Sequence, residues 1–158
     1  MKFHAAVKDL PERHVARIRH VGPYSEAGEA VQRIFAWGAG KGLVKFPGTD
    51  VLAVYYDSPE QVEESKLRLD ACISVPEGTT GDGEVKIMTI PGGRSAVAHV
   101  ELDVNENRKA WDKLFTEWMP QNGVKPDESR LRYEMYLNNP NQHPEKKAIV
   151  DICQPAQS

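Results

Sequence analysis

The residue of this chain best suited to chemistry is a carboxylate set inside an aromatic strand. The segment Arg132-Tyr133-Glu134-Met135-Tyr136-Leu137 is rich in residue types that favour strands. Side chains along a strand alternate between its two faces, so Glu134 shares a face with Arg132 and Tyr136, while Tyr133, Met135 and Leu137 take the other. A carboxylate in such surroundings is costly unless something pairs with it. One reading makes Glu134 a solvated edge-strand residue, or the partner of Arg132 or Arg94. The other makes it a half-buried anion that meets a cation or a donor on a ligand. Aromatic faces attract cations and bury large apolar areas, so Tyr136, Tyr55, Trp111, Phe115 and Trp37 are the ligand-binding candidates that accompany it. A stripe such as Trp111, Phe115 and Trp118 is by itself more often core than pocket, and only its combination with Glu134 favours a site.

Other chemistry finds less support. His4, His14, His20, His99 and His143 show no ligand spacing such as two histidines on one helical turn, so no metal site is expected. No glycine loop opens a helix to cradle phosphate: Gly38, Gly40 and Gly42 end one instead. Ser25, Ser95 and Ser129 lack a nucleophile-elbow context. No cofactor is expected. Cys72 and Cys153 read as buried thiols of a reducing compartment.

The elements that must position Glu134 come in two similar sets. A constant offset of 81 residues carries Trp37 to Trp118, Gly42 to Gly123, Tyr55 to Tyr136, Pro59 to Pro140, Asp70 to Asp151 and Cys72 to Cys153. A repeat of this length indicates a duplicated half-domain with a pseudo-two-fold axis, and a ligand groove is expected between the halves. His14 to Val21 reads as a strand, closed by Gly22-Pro23. Ala27, Ala30, Val31, Ile34 and Phe35 have helical spacing. Pro47-Gly48 reads as a turn, and Val51–Tyr56 and Lys66–Val75 as strands. Pro76–Gly83 reads as a linker. Glu84–Ile90 and Arg94–Leu102 then read as strands, Glu106–Pro120 as the second helix, and Arg132–Leu137 and Lys147–Cys153 as the last strands. The fold class is α+β: duplicated β-α-β-β halves, two long helices on an antiparallel sheet, one domain of two repeats at about 12–76 and 84–155.

The repeat also sharpens the first observation. Ala53 stands where the second half has Glu134, each two residues before a matched tyrosine. Halves that share a scaffold are expected to carry chemistry where they differ. Asp70 and Asp151, which match, are expected to be structural, with a lesser pocket role open for Asp151.

The net charge of −3 and the absence of a basic stripe speak against direct nucleic-acid binding. Met1–Leu10 is interrupted by Lys2, His4, Lys8 and Asp9 and does not resemble a signal peptide, and no apolar run approaches a membrane span. A cytoplasmic location is expected.

Several strings together resemble the GyrI-like small-molecule-binding family. They are Val21-Gly22-Pro23-Tyr24, Val54-Tyr55-Tyr56-Asp57-Ser58-Pro59, Lys66-Leu67-Arg68-Leu69-Asp70-Ala71-Cys72, Ile90-Pro91-Gly92-Gly93 and Tyr133-Glu134-Met135-Tyr136-Leu137-Asn138. The similarity runs from about His14 to Pro155. The family includes DNA gyrase inhibitory proteins and effector-binding domains of drug-sensing transcription regulators. The resemblance implies a lipophilic, cationic small molecule as ligand, with Glu134 meeting its charge and Trp111, Phe115, Tyr55 and Tyr136 lining the pocket. It also implies two alternatives: binding to DNA gyrase, and hydrolysis of cyclopropane-type toxins with Glu134 as general base. The regulators carry a helix-turn-helix segment that has no counterpart here.

Overall fold

The computed structural model describes residues 1–46, 48–103 and 105–158. Its strands are β1 (Lys2–Leu10), β2 (Arg13–Val21), β3 (Val51–Tyr55), β4 (Arg68–Ser74), β5 (Lys86–Ile90), β6 (Gly93–Leu102), β7 (Arg132–Tyr136) and β8 (Ala148–Pro155). Helix α1 spans Gly28–Gly40. The second helical stretch comprises α2 (Asn107–Asp112), a π-helical segment (Lys113–Trp118) and α3 (Met119–Gln121). The fold is α+β with antiparallel pairing throughout the described ladders. The expected turn at Pro47-Gly48 has its proline outside the described residues. The β-α-β-β order is present in both repeats, and each is preceded by one further strand.

The chain forms two compact units, Glu12–Ile90 and a second one made of Met1–Pro11 with Pro91–Ser158. In the first, the strand order is β3-β4-β2-β5. Helix α1 packs on β2 and β4 through Ala30, Ile34 and Gly38. Gly38 sits so close to the sheet that a Cβ built there would lie 2.3 Å from Ile73 Cδ1.

In the second unit the order is β1-β6-β8-β7. Residues 2–10, which carried no strand signal of their own, pair along their whole length with β6, from Lys2 opposite Glu101 to Leu10 opposite Gly93. The segment contains two alanines and breaks the apolar alternation, so its propensity is weak, and pairing with β6 supplies what propensity does not. Ala96, Ala98, Val100, Leu102, Val150 and Ile152 of the sheet form one apolar cluster with Ala110, Leu114 and Met119 of the helical stretch.

The two helical stretches end in the same way. Gly42 and Gly123 adopt positive φ (70° and 66°). The N–H of Leu43 then reaches Gly38 O at 2.8 Å, and that of Val124 reaches Met119 O at 2.9 Å. These are the long backbone bonds of a glycine-closed helix, repeated at the offset seen in the sequence. Between their ends the helices differ. Thr116 Oγ1 donates to Asp112 O at 2.6 Å, and Pro120 has no N–H to offer the preceding turn. Both features weaken ordinary helical bonding there, and the wider π turns accommodate them.

A polar tie holds one end of the second unit's sheet together. The Arg130 guanidinium donates to Arg94 O (2.6 Å) and Ala156 O (2.8 Å), and its Nε to Asp127 Oδ2 (3.1 Å). It fixes the segment before β7 to the start of β6 and the end of β8.

Candidate functional site

Glu134 lies at the middle of β7, opposite Ile152 of β8, with Tyr136 opposite Val150. Both partners belong to the apolar cluster under the helix, so the alternation read from sequence directs Glu134 toward α2. Its exposure is 0%, which excludes a solvated edge residue. Trp111 Nε1 donates to Oε1 at 2.7 Å. Asn107 Nδ2 lies 3.2 Å from Oε1 and 3.1 Å from Oε2. The Tyr136 hydroxyl donates to Oε2 at 3.1 Å. Three neutral donors thus surround a buried carboxylate, which would otherwise be expensive to hide.

The local sequence explains how two of these donors come from one helix. Asn107 and Trp111 are four residues apart, so they stand one above the other on the same helical face. Tyr136 is two residues along the strand from Glu134 and so shares its face. Asn107 was not among the candidate residues. The signal for it was its place one turn before Trp111, which becomes informative only when the helix is known to cross Glu134. Phe115, a further turn along, and Trp118 are partly buried against the apolar cluster. Arg94, one of the two proposed ion-pair partners, instead donates to Gln157 O at 2.9 Å.

Tyr55 and Trp37 belong to the Glu12–Ile90 unit. There Tyr55 meets Tyr24 edge to face, with centroids 4.9 Å apart and planes at 77°. The Trp37 indole Nε1 is buried without a hydrogen-bond partner among the described residues. At the place that matches Glu134, Ala53 packs opposite Ala71 with no polar atom to satisfy.

The first unit carries a different buried carboxylate, Asp70, also at 0% exposure. It accepts from Arg19 Nε at 2.5 Å and from the Tyr56 hydroxyl at 2.6 Å, and Arg17 Nε stands 3.6 Å away. The Arg19 guanidinium lies over the Tyr56 ring, 4.7 Å from its centroid. Burial first, then the bond and charge of Asp70, push the Tyr56 phenol well above its ordinary value. Burial, helped by the Asp70 charge, likewise raises the Cys72 thiol. An unfolded chain releases these protons as pH rises past about 9 for the thiol and 10 for the phenol, whereas the folded protein keeps them. Their contribution to stability is therefore complete below those values and is lost as pH rises through the folded pKa values. Urea unfolding from pH 8 to 11 is expected to show falling stability, and Tyr56→Phe to flatten the decline above pH 10. An identical slope in the variant would contradict the assignment.

The antiparallel strands and the helices packed on them define the class of the protein as an α+β domain. The C-terminal domain of EcmrR shares this fold, with a TM-score of 0.82 at 20% identity, over 100% of this chain and 99% of that one. SAV2435, solved bound to tetraphenylphosphonium, matches with a TM-score of 0.61 at 12% identity, over 98% of this chain and 94% of that one. The family model of the GyrI-like small molecule binding domain matches residues 6–157, and the chain belongs to that family. It is 35% identical over 131 residues to DNA gyrase inhibitor 2 of Dickeya dadantii (strain 3937), which covers 80% of each chain. No described helix is long and apolar enough to cross a membrane.

Proposed function

We propose that this protein binds a lipophilic cation against Glu134, beneath α2. The observation that carries this reading is a fully buried carboxylate held by Asn107, Trp111 and Tyr136 beside aromatic side chains. Those donors keep the carboxylate hydrogen-bonded and oriented in the absence of ligand. A bulky cation meets the carboxylate, and Trp111, Phe115 and Tyr136 supply aromatic surface for its apolar body. Because Glu134 is closed off from solvent, binding requires Asn107 and Trp111 to move with their helix. Tetraphenylphosphonium, the molecule held by SAV2435, is the natural probe. The test is a titration followed by Trp111-sensitive fluorescence and by the melting temperature. A ligand at a hundred times its Kd is expected to stabilise the fold by about 2.7 kcal/mol. No saturable signal and no stabilisation would count against the reading.

A second reading takes its support from the gyrase inhibitor of Dickeya dadantii. In it the protein acts by binding DNA gyrase. Supercoiling by purified gyrase is expected to slow with added protein, and activity unchanged at micromolar protein would remove this reading. The hydrolytic reading draws less from the geometry. The two carboxylate oxygens of Glu134 already accept from three donors, which leaves it poorly placed to take a proton from water.

A further inference from the structure

Asp70 and Asp151 occupy matching places in the repeat, but their cross-strand partners differ. Asp70 faces Arg19, a permanent cation. Asp151 faces His99, whose Nδ1 lies 2.7 Å from Asp151 Oδ1. An ionised carboxylate only accepts, so the Nδ1 of a neutral His99 carries the proton and its Nε2 keeps a free lone pair. This is the arrangement in which a carboxylate orients an imidazole for metal binding.

A second histidine occupies the neighbouring register position. β1 sets His4 opposite His99, so a row His4, His99, Asp151 crosses β1, β6 and β8. Residues directly opposite in an antiparallel pair have Cβ atoms about 4.5–5.5 Å apart and share a face, which lets two imidazoles reach one ion. His4 is exposed, and the His99 side chain is 55% exposed. The row lies on the sheet face away from α2, because Asp151 and Ile152 alternate and Ile152 belongs to the cluster under the helix. No group of three or more His, Cys, Asp or Glu among the described residues is arranged to hold a metal ion. A metal held here would have two protein ligands and leave its remaining positions to water. Imidazole ligands select zinc, nickel or copper over calcium and magnesium.

We propose that His4 and His99 form a surface site for a divalent transition-metal ion, with Asp151 as the positioning residue of His99. The site is independent of Glu134. The neighbouring His143 is already engaged, with Nε2 2.9 Å from Glu101 Oε1, and serves as an internal control.

The test is a titration of the full chain with Zn²⁺ at neutral pH, followed by the imidazole proton resonances of the five histidines. His4 and His99 are expected to shift together and saturate at one ion per chain, with His14, His20 and His143 unmoved. His4→Ala and His99→Ala should each weaken Zn²⁺ binding at least tenfold, and Asp151→Asn about tenfold. Since His4 and His99 are exposed, the metal-free variants should melt with the wild type. Saturation that falls on His143, or wild-type affinity in His4→Ala or His99→Ala, would overturn the proposal.

Discussion

Glu134→Gln is expected to weaken tetraphenylphosphonium binding by about 30-fold or more while leaving the fold intact. Removing one member of a buried charge pair costs about 2–5 kcal/mol of binding, and 2 kcal/mol corresponds to roughly 30-fold. The fold should tolerate the change because the amide keeps the shape of the carboxylate and one of its acceptors. Its carbonyl oxygen can still receive Trp111 Nε1, which lies 2.7 Å from Oε1 in the wild type. The Tyr136 hydroxyl, now beside an amide N–H₂, can rotate and accept. Ligand-free melting should therefore stay close to that of the wild type, whereas the titration midpoint moves. Wild type and variant that bind within twofold of each other would show that the charge of Glu134 is not what the ligand meets. A variant that fails to fold would direct the comparison to the milder Trp111→Phe, which removes one donor and keeps the aromatic surface.

The second large effect concerns the other buried acid. Asp70→Asn is expected to destabilise the protein by about 3 kcal/mol, measured by urea unfolding at pH 7. Asp70 is fully buried and shared by Arg19, Arg17 and Tyr56, so its loss leaves two guanidinium groups facing each other across a neutral amide. The repeat provides the control. Asp151 is 19% exposed and its partner His99 is 55% exposed, so Asp151→Asn should cost less than about 1 kcal/mol. Equal losses at the two positions would mean that burial does not separate them.

The matched pair Asp70 and Asp151 also shows where sequence comparison stops. The offset identified the two aspartates as equivalent and structural, and both do sit on the fourth strand of their β-β-α-β-β repeat. It carried no information on what stands across from them, because cross-strand partners are set by register, a relation between residues some 50 positions apart. The hydrogen bond from Arg19 to Asp70 and that from His99 to Asp151 are both of that kind.

By itself the sequence determined what depends on local period and on similarity between segments. The duplication, the α+β class, Gly42 past the end of the first helix and the face of β7 that carries Glu134 were all legible, because alternation and helical spacing act within a few residues, whereas Gly38 and Gly40, expected to end that helix, lie inside it. Only the tertiary structure decided what covers Glu134, that β1 pairs with β6 although its own residues are weak strand formers, and that Arg130 ties three backbone segments together. Each of these relations joins distant parts of the chain. Their free energy comes from excluding water and satisfying buried polar groups, and neither quantity is written in any short stretch of residues.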